Sequence, residues 1–166
     1  IGPFHVIPFR VGHSIPDAMG IALRTPVGTI VHTGDFKFDH TPVDGKLSDF
    51  AILARLGAEG VAVLLSDSTR AENPGYTPSE RTVGEAFREI MEPLEGRVIV
   101  ATFASNIARV QQVLDASADM GRNVAVLGRS MEQNFRIATD LGYLTYDPSM
   151  IVSKDKIKDH SDPKLV

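Results

Sequence analysis

Two side chains that could bind a metal ion follow apolar segments of the chain. His13 comes directly after Gly12, and Asp35 ends the run His32-Thr33-Gly34-Asp35. A glycine-containing turn at a strand end lets the backbone approach closely and directs a side chain into a cleft. Neutral imidazole and carboxylate suit zinc or manganese, and a carboxylate can bridge two cations. We therefore predict a metal role for both residues. The alternatives are a structural, hydrogen-bonding histidine and an aspartate that only stabilises its turn.

Three more polar residues stand where apolar segments end. Asp67 follows the apolar stretch 61–65, where an acid could orient a histidine or assist proton transfer, or could simply cap a loop. Ser105 and Asn106 precede a predicted helix, where free backbone N–H groups and the helix dipole favour a phosphate. The same two residues are also ordinary helix N-caps. Both interpretations stay open for all three positions.

The other histidines indicate less. His32 is expected to support a ligand or to pack rather than to bind metal. His5 lies in an apolar segment and is expected to be a hydrogen-bonded core residue, while His40 and His160 lie among charged or turn residues. None of these four is predicted to be a ligand.

Composition limits the classes of function. The chain has 166 residues, 43% of them hydrophobic and 23% charged, as in an ordinary globular protein. It has no apolar run near the roughly 20 residues that a membrane-spanning helix needs, so no membrane partner is expected. The absence of cysteine excludes disulfides and thiolate metal sites and is compatible with a reducing compartment. A formal charge of -4 argues against a globally basic nucleic-acid binder, but not against local phosphate binding.

The first half of the chain is predicted to place these residues at strand ends. Residues 18–24 and 29–33 are two apolar strands joined by Thr25-Pro26-Val27-Gly28, which has the chemistry of a type I turn. Ser48 is predicted to cap a short helix, and 61–65 is predicted to be a buried strand. Thr77-Pro78-Ser79-Glu80 resembles a capping box with proline at the first helical position.

From Arg97 the pattern becomes strand, helix, strand, helix. Strands are predicted at 98–101 and 123–127, the first helix is expected to end at Gly121, and the second to begin at Ser130 with Gln133 as its capping partner. Phe135, Ala138 and Leu141 are its expected buried face. This alternation predicts a parallel α/β sheet with right-handed crossovers, and residues 93–97 are the expected domain boundary.

Together these segments resemble the ribonuclease J family, which consists of β-CASP members of the metallo-β-lactamase superfamily. Each motif is weak alone, but they occur in the family's order along nearly the whole chain. The motifs are Gly12-His13-Ser14-Ile15-Pro16-Asp17, His32-Thr33-Gly34-Asp35-Phe36-Lys37, Ser66-Asp67-Ser68-Thr69, Phe103-Ala104-Ser105-Asn106 and Leu127-Gly128-Arg129-Ser130-Met131-Glu132.

The resemblance implies a fold and a division into domains. Residues 1–96 would be the C-terminal part of a metallo-β-lactamase domain with its αββα sandwich, and 97–166 the first part of a Rossmann-like β-CASP domain. Because the chain opens on an apolar segment without methionine and closes inside an apparent fold, we expect it to be an internal piece of a longer protein. The longer protein would be cytoplasmic and a homodimer or tetramer.

The resemblance also assigns roles to the candidate residues. His13 would be a metal ligand, Asp35 would bridge two zinc ions, and Asp67 would be the acid of the first β-CASP motif. Manganese or magnesium could replace zinc. Ser105 would lie near the pocket for an RNA 5′-monophosphate. The family's His-x-His-x-Asp-His signature does not occur in this sequence, so the chain is expected not to complete the site.

The implied activity is metal-dependent cleavage of single-stranded RNA with a 5′-monophosphate, both 5′-to-3′ and internally, by two-metal phosphodiester hydrolysis. Alone, the chain is expected to be inactive and to bind metal weakly. Two alternatives remain: another hydrolase of the superfamily, acting on a small ester or on DNA, and a non-catalytic module that binds RNA or phosphate.

Overall fold

The structure is a computed structural model that describes residues 2–157 and 164–166. His160 lies outside these residues. The chain divides into two compact units, of which the first comprises Ile1–His13 and Asp17–Ser79, and the second comprises Ser14–Pro16 and Glu80–Val166. The expected boundary at 93–97 stays a prediction.

The first unit is built on a four-stranded mixed sheet in the order β1-β2-β3-β4. The first three strands are antiparallel, and β4 pairs with β3 in parallel. A single helix, α1, precedes β4 in the chain. The elements are β1 (His5–Arg10), β2 (Met19–Thr25), β3 (Gly28–His32), α1 (Phe50–Glu59) and β4 (Val63–Leu65).

The predicted hairpin is present. Thr25 pairs with Gly28, so Pro26 and Val27 are the two loop residues. The Thr25 hydroxyl donates to the Gly28 carbonyl oxygen at 2.8 Å and closes the turn. Proline at the second turn position restricts the backbone to the φ that a type I turn requires, and this local chemistry made the hairpin predictable.

One face of this sheet packs against α1. The buried residues that form the core are Phe9, Val11, Ala22, Val31 and Leu56, with Ile52 and Leu53 of α1 packed against them. The side of α1 that contains Ile52, Leu53 and Leu56 is therefore its apolar, sheet-facing side. Ser48 is not its cap, because the helix begins at Phe50, and the Ser48 hydroxyl instead accepts a hydrogen bond from the backbone amide of Gly12 at 2.9 Å.

The prediction that 61–65 forms a buried strand is wrong in two respects. The strand covers only Val63–Leu65, and its side chains are 46–61% exposed. Because β4 is an edge strand that pairs only with β3 in this sheet, its apolar residues have few neighbours to cover them. An apolar run by itself does not distinguish a central strand from an edge strand.

The second unit is mainly helical around a separate core. Its α2 and α3 pack against each other, and α4 packs on α3. The buried core contains Ile107, Val110, Leu114, Val124, Phe135, Ala138, Leu144 and Met150. The helices are α2 (Arg81–Met91), α3 (Ile107–Asp119) and α4 (Arg129–Asp140), followed by the 3₁₀ turns Pro148–Met150 and Lys154–Lys156.

The helix starts show where local signals succeed. Asn106 caps α3 by accepting from the backbone amide of Arg109, as its sequence position allowed, and Gly121 follows the end of that helix with a φ of +60°. The capping box at Thr77 is wrong, since α2 begins at Arg81. The Ser79 hydroxyl lies instead 2.9 Å from both Asp39 Oδ2 and the carbonyl oxygen of Thr41.

The predicted start and one buried position of α4 also need correction. The helix begins at Arg129, one residue before Ser130, because Gly128 adopts a φ of +103° that turns the chain into the helix earlier. Phe135 and Ala138 are buried as predicted, but Leu141 is 65% exposed. Leu141 lies at the C-cap, where the helical periodicity that predicted its burial ends.

The second unit contains parallel pairing but no extended strand among the described residues. Asn123 pairs with Leu165, and Val124 pairs with Ile151, both as isolated parallel bridges. The strands predicted at 98–101 and 123–127 are therefore wrong, and within 123–127 only Asn123 and Val124 pair, each in a single bridge. Val98 donates to the Leu165 carbonyl oxygen at 3.0 Å, but Ile99 is 94% exposed and an apolar cavity of about 330 Å³ lies along this segment. The parallel direction of pairing agrees with the predicted sheet.

The structure therefore has a mixed α/β fold, with one four-stranded mixed sheet and helices. Within the described part of the chain, none of the helices has the length and apolar character needed to cross a membrane.

Candidate metal centre and its loops

His13 and Asp35 lie side by side in the first unit. The Nε2 atom of His13 is 3.9 Å from Oδ2 of Asp35, although the two residues are separated by the β2–β3 hairpin. The histidine side chain is 30% exposed and the carboxylate 80% exposed. The carboxylate thus keeps open directions in which it could reach a second ligand or a second ion.

This pair fits a shared cation. Zinc holds nitrogen and oxygen ligands at about 2.0–2.2 Å, so two ligands at a tetrahedral angle lie roughly 3.4 Å apart. The observed separation of 3.9 Å is a little longer, and the exposed Asp35 side chain has space to close the difference. Within residues 2–157 and 164–166, no group of three or more histidine, cysteine or acidic residues could hold a metal. The described residues therefore supply a pair of potential ligands, not a closed site.

Backbone hydrogen bonds bring the two ligands together. The amide of Lys37 donates to the carbonyl oxygen of Gly12 at 2.7 Å, which joins the loop after β1 to the loop after β3. Gly12 has no side chain for a steric reason, because a Cβ there would lie 2.7 Å from the Lys37 carbonyl oxygen. On the other side, the Gly12 amide donates to the buried hydroxyl of Ser48.

A second glycine shapes the turn that carries Asp35. Gly34 has a φ of +63°, which favours glycine, and a Cβ there would lie 2.8 Å from the Met19 carbonyl oxygen. Nδ1 of His32 accepts the Gly34 amide at 3.0 Å. His32 therefore stabilises the turn through its own Nδ1 atom. Its expected role as a supporting residue, not a ligand, is compatible with this bond.

Asp67 lies in the same unit, in the loop after β4. Its Oδ1 atom accepts the Thr69 hydroxyl at 2.6 Å and the Thr69 amide at 2.9 Å. These two hydrogen bonds lower the pKa of the Asp67 carboxyl below its ordinary 3.8, and the Phe36 backbone and the charge of His13 lower it further. Asp67 thus caps its own loop as an ionised carboxylate. Its role in orienting a histidine or transferring a proton stays a prediction.

Ser105 and Asn106 belong to the second unit. Asn106 is buried and its side-chain oxygen caps α3, whereas Ser105 is exposed immediately before it. Asn134 of α4 donates to the Ala104 carbonyl oxygen at 3.0 Å and holds this loop against α4. Asn106 therefore is the N-cap of α3, as one of the two interpretations predicted. Phosphate binding at Ser105 and Asn106 stays a prediction.

Sequence reasoning missed the residues that hold the loops of the first unit. Thr33, Lys37 and Ser48 each bond to a backbone atom of a distant segment. Ser48 is 36 positions from Gly12, and Thr33 is 34 positions from Asp67. A single sequence carries no signal for such bonds, because they depend on which loops the sheet brings together.

The family model and three curated relatives that match this chain are described as ribonucleases J. Residues 95–166 match the family model described as "Ribonuclease J, beta-CASP domain". Ribonuclease J of Thermus thermophilus is 49% identical over 158 residues, which cover 95% of this chain and 27% of that protein. Ribonuclease J2 of Bacillus subtilis is 45% identical over 150 residues, or 90% of this chain and 27% of that protein. Ribonuclease J of Helicobacter pylori is 42% identical over 166 residues, which cover 100% of this chain and 24% of that protein.

Among solved structures, a crystal structure of a protein of unknown function from Enterococcus faecalis V583 has a TM-score of 0.68. It is 16% identical, and the match covers 100% of this chain and 41% of that one, so it supports the fold alone. The chain spans about a quarter of the length of the curated relatives it matches. With sequence identities of 42–50% over most of its length, this chain is a ribonuclease J homologue that corresponds to about one quarter of the family's proteins, including its β-CASP region.

Proposed function

We propose that this chain is part of a longer, metal-dependent ribonuclease that degrades and processes RNA in the cytoplasm, from the 5′ end and internally. The observation that carries the proposal is the 3.9 Å approach of His13 Nε2 and Asp35 Oδ2 on two loops of one sheet. The names of the relatives supply the substrate class, since they are ribonucleases J.

His13 and Asp35 would hold the metal ions of that enzyme. Two zinc ions, or manganese or magnesium in their place, would supply activated water at neutral pH and neutralise charge on the phosphate oxygens. Asp35 suits a bridging position because its carboxylate is mostly exposed and has two oxygens. Further ligands would have to come from outside the described residues, because these offer no third ligand within the cluster.

Asp67 would act as a carboxylate and not as a proton donor. Its lowered pKa keeps it ionised at neutral pH, and its contacts with Thr69 fix the direction of Oδ1. An ionised acid in this position can accept a proton or orient a histidine. The 3.0 Å hydrogen bond from the Asp67 amide to the hydroxyl of Thr33, two positions before Asp35, supports a role close to the candidate metal ligands.

Ser105 and the start of α3 would bind the 5′-monophosphate of the RNA. The N-terminal N–H groups of a helix and an exposed hydroxyl favour an anion. Asn106 would contribute indirectly, since its side-chain oxygen already accepts the Arg109 amide and thereby fixes the helix end. Recognition of a terminal phosphate would select the RNA end from which stepwise cleavage starts.

The sheet of the first unit supports the proposal that residues 1–96 are the C-terminal part of a metallo-β-lactamase domain with its αββα sandwich. One face packs on α1, yet the opposite face is also apolar and remains about half exposed, at Val6, Ile21, Val63 and Leu65. An antiparallel sheet with one solvated face normally alternates apolar and polar residues. Two apolar faces therefore favour a second sheet on the open side, as in an αββα arrangement. We also propose that 97–166 begin a Rossmann-like β-CASP domain and that the longer protein is a homodimer or tetramer.

The test uses the longer protein with its metal restored. The substrates are a 5′-monophosphorylated single-stranded RNA, the same RNA with a 5′-hydroxyl, and a DNA of the same sequence. We expect metal-dependent cleavage of the phosphorylated RNA, with stepwise products from the 5′ end, and loss of cleavage in His13→Ala and Asp35→Asn. The 166-residue chain by itself should cleave none of the three.

Four results would contradict the proposal. Preference for DNA or for a small ester would indicate another hydrolase of the superfamily, and RNA binding without cleavage would indicate a binding module. Full activity in both His13→Ala and Asp35→Asn would show that the reaction does not require these two side chains. Cleavage by the 166-residue chain would show that these residues form a complete site.

A further inference from the structure

We propose that Thr33 is a positioning residue whose hydroxyl holds the Asp35 loop and the Asp67 loop in the relative position that the reaction requires. The inference rests on the proposed function, because it assigns a purpose to the relative placement of the two acids. It concerns a residue that would touch neither metal nor RNA and would act through its neighbours.

The evidence is a pair of hydrogen bonds that share one oxygen. The Thr33 hydroxyl accepts the backbone amide of Asp67 at 3.0 Å and donates to the carbonyl oxygen of Gly34 at 2.7 Å. Gly34 directly precedes Asp35 in the chain. One side-chain oxygen therefore fixes an atom of Asp67 itself and the peptide bond that leads into Asp35.

The position of Thr33 in the sheet explains why this residue can reach both loops. The parallel pairing of β3 and β4 ends at His32 and Leu65, and the Thr33 amide adds one more bond to the Leu65 carbonyl oxygen at 3.0 Å. Both loops leave the sheet at the carboxyl ends of these two parallel strands. The Thr33 hydroxyl continues the connection between the strands for one further step, after the backbone ladder has stopped.

The chemistry demands a hydroxyl group. Only a group that donates and accepts can join an N–H to a carbonyl through one atom, which serine and threonine can do and valine cannot. Valine has nearly the shape of threonine, so Thr33→Val removes the two bonds with little change in packing. Thr33→Ser keeps the hydroxyl and loses only the methyl group.

The experiment compares Thr33→Val, Thr33→Ser and wild type in the longer, metal-loaded protein on 5′-monophosphorylated RNA. We expect Thr33→Val to lower kcat about 10- to 100-fold, as the loss of supporting partners around metal ligands typically does. KM for RNA should change less than about twofold, because in this proposal Thr33 acts on the two loops and would not touch the RNA. Thr33→Ser should restore kcat to within about threefold of wild type.

Two additional measurements separate positioning from a merely structural role. The Asp67 amide should exchange faster and shift in the ¹H–¹⁵N spectrum of Thr33→Val, but not of Thr33→Ser. Thr29→Val is the matched control on β3, since among the described residues the Thr29 hydroxyl makes no hydrogen bond. It should leave both kcat and the Asp67 amide unchanged.

The outcomes distinguish the two proposals. Wild-type kcat in Thr33→Val would overturn the positioning role, and so would an equal loss in Thr33→Ser, which would assign the effect to the methyl group. An unchanged Asp67 amide in Thr33→Val would overturn it as well. If wild-type protein cleaves no RNA, the proposed function fails, whereas the amide measurement still decides whether Thr33 holds the Asp67 loop.

Discussion

The backbone amide of Lys37 donates a 2.7 Å hydrogen bond to the carbonyl oxygen of Gly12. Each of these residues is a neighbour, or a near neighbour, of a candidate ligand. The bond therefore connects the His13 loop to the Asp35 loop without using either ligand side chain. The approach of the two ligands depends on this backbone contact and on the absence of a Cβ at residue 12.

Gly12→Ala should disrupt the candidate metal centre. The new Cβ would lie 2.7 Å from the Lys37 carbonyl oxygen, a backbone atom that can move only if the loop moves. We expect the free energy of unfolding to fall by about 2 kcal/mol, as for other overpacked sites, and the zinc affinity to fall as well. Chemical denaturation and competition with a chelating zinc indicator measure the two effects.

Gly57→Ala is the control for this substitution. Gly57 lies in the middle of α1, and a Cβ there meets nothing within 4 Å. Alanine should raise the free energy of unfolding by about 1 kcal/mol, because glycine is a poor helix former. If Gly12→Ala were as stable as Gly57→Ala and bound zinc equally well, the steric argument would be wrong.

Ser48→Ala should leave the Gly12 amide without its hydrogen-bond acceptor. The buried Ser48 hydroxyl accepts that amide at 2.9 Å, so its removal leaves an unpaired donor. A cost of about 1 kcal/mol is expected, because the Gly12 amide that loses its partner is only partly buried. Hydrogen exchange at Gly12 should accelerate more than exchange in the first turn of α1. If Ser48 capped the helix, the amides of that first turn would be the ones to exchange faster.

Ser130→Ala tests the same substitution at a serine whose capping role was predicted but is absent. α4 begins at Arg129 without a side-chain cap, and Ser130 is exposed. We expect a change within about 0.5 kcal/mol. A loss near 1 kcal/mol would instead show that Ser130 caps the helix after all.

The acid stability of the first unit should depend on Thr69. The Thr69 hydroxyl is the largest contribution that lowers the pKa of Asp67 from 3.8. A lowered folded-state pKa stabilises the protein above the unfolded-state pKa, and this stabilisation is lost as the pH falls through the folded-state value. Thr69→Val should therefore raise the pKa of Asp67 toward its ordinary value and lower the Tm at neutral pH.

The pH dependence provides the check. The difference in Tm between wild type and Thr69→Val should disappear below the lowered pKa of Asp67, where the carboxyl is protonated in both folded and unfolded states. A ¹³C titration of metal-free protein measures the pKa directly, and Thr69→Ser should retain the wild-type value. A Tm difference that persists undiminished in acid would point to packing rather than to the charge of Asp67.

Arg122→Met should destabilise the second unit. Arg122 is 4% exposed, and its guanidinium donates to the carbonyl oxygens of Gly96 at 3.0 Å, of Met91 at 3.4 Å and of Leu94. It thereby satisfies acceptors at the C-terminal end of α2, where a positive charge is also favourable. We expect a loss of about 3 kcal/mol in chemical denaturation, since several bonds to a charged donor disappear together.

Arg136→Met is the matched control. Arg136 is an exposed residue of α4, and methionine is at least as good a helix former there. The free energy of unfolding should change by less than about 0.5 kcal/mol. Equal effects of the two substitutions would show that the buried bonds of Arg122 add nothing beyond a surface arginine.

Local chemistry made part of this structure predictable. The Pro26 turn, the cap at Asn106 and the glycine after α3 depend on residues that are adjacent in the chain. The identification of His13 and Asp35 as a candidate pair likewise came from residue types and their glycine neighbours. Local signals failed at Ser48, Thr77 and Ser130, because a hydroxyl can bond to a distant backbone group or remain exposed as easily as it caps the next helix.

The sequence alone therefore determined which residues could do chemistry, the hairpin between them and the ribonuclease J resemblance. The tertiary structure decided that His13 and Asp35 approach within 3.9 Å, that β4 is an exposed edge, and that Thr33, Lys37 and Ser48 hold the loops. The physical reason is that turns and caps are set by neighbours in the chain. Loop-to-loop bonds, in contrast, exist only after strand pairing has brought segments 25 or more positions apart to the same end of a sheet.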